Sequence, residues 1–142
     1  MKKIILVFSI VFVFMSGCQI LSSDSTSSPE IKIEPSPVIT GQEVTVTISH
    51  SKEFIMPYCG GITYEIEKLE SENWVVIDGQ YGPCNGMILP ETSISESISI
   101  NFIIDEVGVY RFVSSFKYNP KDEFKSIYSN NFEVASMGIM PL

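Results

Sequence analysis

The chain has little histidine, tryptophan and cysteine, and its basic residues are outnumbered by acidic ones. Its 142 residues include one histidine, one tryptophan and three cysteines, with 9 lysines and arginines against 17 aspartates and glutamates. Three cysteines are too few for a disulfide-dense small domain, and a net charge of −8 is unfavourable for binding nucleic acid. A hydrophobic content of 44% excludes intrinsic disorder, and the length fits one domain of roughly 100–200 residues.

The amino-terminal residues predict export and lipid anchoring. Lys2 and Lys3 precede the apolar run Ile4–Met15, and small residues then lead to Cys18. A charged start, an apolar stretch and small residues before a cleavage site are the parts of a secretory signal peptide. The four residues that end at Cys18 resemble the lipobox of bacterial lipoproteins, with Met15 in place of the usual leucine.

That resemblance implies a lipid anchor in a bacterial cell envelope. It implies that residues 1–17 are removed and that the Cys18 thiol carries a diacylglyceryl group, whose two acyl chains hold the protein stably on a membrane. Removal of the two lysines would leave a net charge of −10. The alternatives are an ordinary secreted chain and an uncleaved membrane helix over Ile4–Leu21, which is near the short end of the ~17–25 residues that span a bilayer.

Composition divides the rest of the chain into three parts. Residues 18–29 hold the lipidated cysteine and a serine-rich stretch typical of a flexible tether. Residues 30–135 predict one domain, and residues 136–142 form a short apolar tail that either frays or packs on the domain or on a partner.

Alternation of apolar and polar residues predicts an all-β domain. Seven stretches show it or are rich in β-forming residues, and no stretch shows helical periodicity. The stretches are Ile31–Ile33, Val44–Ile48, Ile62–Ile66, Trp74–Ile77, Ile98–Phe102, Val109–Ser114 and Asn131–Ala135, the last with a possible start at Ile127. Asp78-Gly79 predicts a turn after the fourth stretch. About seven strands without helical crossovers favour an antiparallel β-sandwich.

Three features favour an immunoglobulin-like sandwich. Pro35 and Pro37 suit a first strand that breaks and changes sheets, because proline cannot donate to a strand ladder. Trp74 is a candidate for the large core side chain of such domains. Tyr110 follows a predicted turn and is placed like a tyrosine-corner residue, the alternative being an ordinary strand aromatic.

The order of several segments resembles that of small bacterial immunoglobulin-like domains, many of which are lipoproteins. The segments are Tyr64–Leu69, Trp74–Ile77, Leu89–Thr92, Gly108–Phe112 and Tyr128–Val134. The chain is also similar, more loosely, to the sandwich of the Bacillus intracellular proteinase inhibitor family. The resemblance implies a β-sandwich with a binding or structural role, and it offers no catalytic residues.

Cys59 and Cys84 are the cysteines left after lipidation of Cys18. An even pair in an oxidising compartment predicts a disulfide, which would close a loop of about 25 residues and add about 3 kcal/mol in the chain-entropy model. The alternative is a soft-metal site for copper that uses these thiols with Met56, Met87 and His50. No Cys-x-x-Cys or His-x-x-x-His spacing supports that alternative.

The sequence favours binding over catalysis. His50 is the only candidate base, and no Gly-x-Ser-x-Gly segment is present to expose a nucleophilic serine. Two glycine-rich loops carry Met56, Tyr58, Tyr81 and Met87, which either form a binding patch or cover the end of the sandwich. We therefore expect a non-catalytic envelope protein with a possible protein partner and no cofactor, nucleic acid or small-molecule substrate. The alternative function is a protease-inhibitor-like module.

Overall fold

The computed structural model describes residues 27–80 and 90–138, and these residues form eleven β-strands. The strands are β1 (Glu30–Glu34), β2 (Val38–Ile39), β3 (Glu43–Ser49), β4 (Phe54–Pro57), β5 (Tyr64–Glu70), β6 (Asn73–Gln80), β7 (Glu91–Ile94), β8 (Ser97–Ile103), β9 (Gly108–Phe116), β10 (Lys125–Tyr128) and β11 (Phe132–Ala135). No helix long and apolar enough to cross a membrane occurs within those two ranges. The predicted signal peptide 1–17 and Cys18 lie outside the described residues.

The strands form three sheets, so the predicted all-β class is confirmed. A three-stranded sheet has the order β1-β3-β8, and a six-stranded sheet has the order β2-β11-β9-β5-β6, with β10 also paired to β9. A third sheet consists of β4 and β7. Each of the seven predicted stretches overlaps a strand, because each carries residues that fit a pleated, half-buried surface.

The chain crosses from one sheet to the other at Pro35–Pro37. β1 pairs with β3 in the three-stranded sheet, which we call the smaller sheet. β2 pairs with β11 in the six-stranded sheet, which we call the larger sheet. The change of sheet that the two prolines predict is therefore confirmed. The β2–β11 pair is parallel, so the expected antiparallel pairing has one exception. At this edge of the larger sheet, β2 runs in the same direction as β11, the last strand of the chain.

All three sheets contribute to one apolar core. The core positions alternate along β3, β5 and β9, as a face that packs on another sheet requires. The fully buried members include Val44, Val46 and Ile48 of β3, Phe54 and Met56 of β4, and Tyr110 and Phe112 of β9. The Tyr64 and Phe112 rings stack with their centres 5.3 Å apart, and the Phe102 ring lies 6.3 Å from Tyr64.

Trp74 is not part of this core, so that prediction was wrong. The side chain is only half-buried and lies on β6, the last strand of the larger sheet. The predicted turn at Asp78-Gly79 was also wrong, because β6 continues through both residues to Gln80. The turn between β5 and β6 lies instead at Ser71 and Glu72, whose φ angles are 46° and 71°. Two consecutive positive φ angles match the twist of a tight hairpin.

Ser129 divides the predicted last strand into β10 and β11. Its amide donates to the carbonyl of Phe112, and its hydroxyl accepts the Phe112 amide at 2.9 Å. The side-chain oxygen therefore takes the place of a backbone carbonyl, and the ladder is interrupted while both strands remain on the same side of β9.

Lys117 links the two-stranded sheet of β4 and β7 to the end of β9. Its backbone exchanges two hydrogen bonds with Ile55 of β4, at 2.8 and 2.9 Å. Its buried ammonium donates to Glu91 of β7 at 2.6 Å and to the Pro120 carbonyl at 2.8 Å. The charge is thus paired inside the protein, as a buried ammonium requires.

Candidate functional site

The outer faces of the two larger sheets carry different kinds of side chains. On the smaller sheet, almost every position that alternates with a core residue is polar or charged. These positions are Glu30, Lys32, Glu34, Glu43, Thr45, Thr47, Ser49, Ser97, Ser99, Asn101 and Ile103. On the larger sheet the equivalent positions include aromatic, aliphatic and arginine side chains. These positions include Leu69, Trp74, Val76, Val109, Arg111, Val113 and Tyr128, which we call the aromatic face.

Arg111 is the centre of the aromatic face. The guanidinium carbon lies 4.3 Å from the centre of the Trp74 ring and 4.7 Å from the centre of the Tyr128 ring. The Nε atom donates to the Oε2 atom of Glu67, which is directly opposite on β5. The Glu67 side chain is only 13% exposed. The ion pair and the two cation–π contacts therefore hold Arg111 and both rings in one arrangement.

Apolar groups at this site remain open to solvent. Tyr128 is 54% exposed and Val76 is 44% exposed, and Leu69 is also exposed. Tryptophan, tyrosine and arginine are the residues that most often dominate the energy of protein–protein interfaces. Because their rotamers are already fixed here, little side-chain entropy would be lost when a partner binds.

Sequence reasoning missed this site. Trp74, Arg111 and Tyr128 are far apart along the chain, and only the pairing of β6, β5, β9 and β10 brings them together. The available signal was the position of Arg111 within an alternating strand, where it replaces the serine or threonine typical of a solvated face.

Met56 is a core residue, so its predicted role in a binding patch was wrong. Its side chain is 0% exposed because Phe54 and Met56 alternate inward along β4. Tyr58 is exposed in the following loop. The other two residues predicted for that patch, Tyr81 and Met87, lie outside the described residues, so the patch is not assembled as predicted.

The loop around Cys59 is tightly held. Thr63 donates its amide to the Pro57 carbonyl at 3.0 Å, and the Cys59 amide donates to the Gly61 carbonyl at 2.8 Å. Gly60 has a φ of 71°, a conformation that favours glycine at this turn. Cys59 is buried. Cys84 lies outside the described residues, so the disulfide remains a prediction.

Two of the residues suggested for copper, Met56 and His50, are engaged elsewhere, and Cys84 and Met87 lie outside the described residues. Met56 is enclosed in the core, and the His50 Nδ1 atom accepts the Lys52 amide at 2.9 Å. The His50 Nε2 atom lies 3.2 Å from the Ser27 hydroxyl and 3.3 Å from the Tyr118 hydroxyl. In the part of the chain that the structure describes, no group of three or more histidine, cysteine, aspartate or glutamate side chains is placed to hold a metal ion.

Tyr110 makes the contact expected of a corner tyrosine. The ring is completely buried, and its hydroxyl donates to the Glu106 carbonyl at 2.9 Å. Burial raises the pKa of this hydroxyl. The Glu106 carboxylate accepts from Lys68 at 2.6 Å, and this hydrogen bond lowers the pKa of Glu106 and raises the pKa of Lys68. The loop before β9 is thereby fixed at two points.

Comparison with known proteins adds no assignment to this geometry. No protein-family model matches the chain, and no curated protein is significantly similar to it.

Proposed function

We propose that this chain is a non-catalytic, lipid-anchored protein of a bacterial cell envelope, and that its immunoglobulin-like domain binds a protein partner through the aromatic face. The observation that carries the proposal is the Arg111 side chain held between the Trp74 and Tyr128 rings. A pre-organised group of this kind on an open sheet face is suited to recognition.

The strand order supports an immunoglobulin-like sandwich. The neighbours β11-β9-β5-β6 correspond to strands G, F, C and C′ of a variable-type domain, and β1-β3-β8 correspond to A, B and E. The Tyr110 hydroxyl bond to a carbonyl four residues upstream supports the same assignment. A single core shared by the sheets is what two packed layers require.

The lipid anchor is proposed from the sequence at Cys18. Its test is to express the chain with Cys18→Ala and to compare the membrane and soluble fractions of the cells. The unchanged chain should be in the membrane fraction with the mass of a diacylglyceryl group on a chain that starts at Cys18. The variant should lose that mass. A full-length chain from Met1, retained equally with and without the cysteine, would refute the anchor.

The structure supports the proposed Cys59–Cys84 disulfide through the two ends of the undescribed segment 81–89. The Pro90 carbonyl accepts the Tyr58 amide at 2.8 Å, and the side chain of Gln80 lies beside Gly61. Both ends therefore flank the loop that carries Cys59. Mass spectrometry with alkylation before and after reduction tests the bond, since a cysteine alkylated without reductant at either position would refute it.

Photo-crosslinking in intact cells tests recognition by the aromatic face. A photoreactive amino acid at Val76, on that face, should yield a defined crosslinked band. The matched position Ser99, exposed on the smaller sheet, should yield none. The Val76 band should weaken in a chain that also carries Trp74→Ala. Equal bands from both positions, or a Val76 band that does not respond to the Trp74 change, would refute the proposed face.

A further inference from the structure

Within residues 27–80 and 90–138, no strand pairs with one long edge of β6. Among the described residues, β6 pairs only with β5, and it is the last of the larger sheet's strands. An edge strand of eight residues presents a row of backbone donors and acceptors that an extended peptide can use. Val75 and Ile77 are both exposed on this strand.

A groove lies between β6 and the edge of the smaller sheet. Ile77 and Asp78 of β6 line it together with residues 102–106, which lie at and just after the end of β8. The groove has a volume of about 290 Å³. Its lining includes the buried side chains Ile66, Phe102, Ile104 and Tyr110, together with the more exposed Ile77 and Ile103. These six side chains form an apolar floor that suits aliphatic side chains.

The rim of this groove is acidic. Asp78, Asp105 and Glu106 line it. Lys68 is paired with Glu106 at 2.6 Å and approaches Glu70 at 4.0 Å, whereas Asp78 and Asp105 have no ion pair among the described residues. The groove therefore combines an apolar floor with two carboxylates that no described side chain neutralises.

We propose that this groove binds an extended segment of a partner protein, added as a strand along β6, that carries both aliphatic and basic residues on the face turned toward the groove. In a strand, every second side chain points to the same face, so the residues of the segment that meet the groove and its rim are two positions apart. The aliphatic residues would enter the groove, and basic residues at its rim would pair with Asp78 and Asp105. Backbone bonds to β6 would supply affinity, and the carboxylates would supply selectivity.

Charge favours this partner over a second copy of the chain. Two copies joined along β6 would bring two acidic rims together, and each chain already carries a net charge of −8. Like charges at an interface oppose association, whereas a basic segment is attracted to the rim.

The groove also lies away from the amino-terminal attachment. Ser27 contacts Tyr118, just beyond the end of β9, whereas Asp105 and Glu106 precede the start of β9. The nine residues of β9 span about 30 Å. A membrane anchor that leads into Ser27 would therefore leave the groove at the opposite end of the domain.

The test uses the full chain in detergent and fluorescein-labelled octapeptides. One peptide has lysine and valine in turn at every second position, with threonine between them, and its matched control has glutamate in place of each lysine. Fluorescence anisotropy should show saturable binding of the lysine peptide alone. The double variant Asp78→Asn, Asp105→Asn should weaken that binding by about tenfold, since each lost charge pair is worth a few-fold in affinity. Backbone amide NMR shifts should concentrate on β6.

A second double variant controls for overall charge. Glu43→Gln and Glu133→Gln also remove two negative charges, from exposed positions outside the groove. This variant should bind the lysine peptide as the unchanged chain does. Two binding results would overturn the proposal: no binding of the lysine peptide at about 1 mM, or equal binding of both peptides. Equal weakening by both double variants would also overturn it. So would a dimer in sedimentation whose amide NMR shifts lie on β6.

Discussion

Replacing Tyr110 with phenylalanine should destabilise the domain through the loss of one hydrogen bond. The ring is completely buried, and its hydroxyl donates to the Glu106 carbonyl at 2.9 Å. A hydrogen bond contributes about 0.5–1.5 kcal/mol to net stability, and a buried acceptor left without its donor adds to the loss. We therefore expect Tyr110→Phe to lower the free energy of unfolding by about 1–2 kcal/mol. For a domain of this size, that corresponds to a fall in Tm of at least roughly 4 °C.

Urea unfolding followed by circular dichroism measures this effect, and Tyr118→Phe is the matched control. The Tyr118 hydroxyl also donates to a backbone carbonyl, that of Ser27, but this bond is exposed. Water can replace an exposed partner, so the control should change the free energy by less than about 0.5 kcal/mol. If Tyr110→Phe costs no more than Tyr118→Phe, the corner bond does not hold the loop before β9 and our reasoning is refuted.

Three further changes test other parts of the structure. Met56→Ala should lower the free energy of unfolding by about 2–5 kcal/mol because it leaves a cavity in the core, and a cost below 1 kcal/mol, measured in urea, would contradict the burial of this side chain. Arg111→Lys should increase acrylamide quenching of Trp74, the only tryptophan, because lysine lacks the planar group that stacks on the ring. Glu106→Gln should destabilise the domain at pH 7, and the difference from the unchanged chain should disappear as the pH falls below about 4.

The sign of that pH dependence follows from Lys68. Its hydrogen bond lowers the pKa of the Glu106 carboxyl in the folded domain. The stability that Glu106 contributes is therefore present above its unfolded pKa of about 4.3, and it is lost as the pH falls through the lower folded value. Unfolding in urea at pH 7, 4 and 3 measures the trend. A difference between the two chains that persists unchanged at pH 3 would exclude the Lys68 contact as its source.

The strands that the sequence predicts are those with one buried face. Val44, Val46 and Ile48 alternate with polar residues because the smaller sheet has the core on one side and solvent on the other. Tyr110 and Phe112 alternate for the same reason in the larger sheet. The first sheet change could also be predicted, because the missing amide of proline acts locally.

What the sequence does not predict depends on register or on backbone conformation. Ser71 and Glu72 adopt positive φ without the glycine or asparagine that usually mark such a turn. The run Trp74–Ile77 is apolar throughout, so it has no period that would show which way Trp74 faces. Trp74 was a core candidate only as the large aromatic residue of an immunoglobulin-like domain. Arg111 meets its two aromatic partners only through the pairing of four strands.

β6 departs from the usual pattern of an edge strand on both of its faces. Edge strands in soluble proteins are commonly short or carry lysine or proline, which prevents pairing with other chains. β6 has eight residues and neither of these residue types, and its three consecutive aliphatic side chains, Val75, Val76 and Ile77, are all exposed. Val76 belongs to the aromatic face, whereas Ile77 lines the acidic groove. Such departures from local folding rules are concentrated at functional sites. A partner strand added to β6 would contact both surfaces at once, and this single strand is therefore where substitutions should separate binding from folding most clearly.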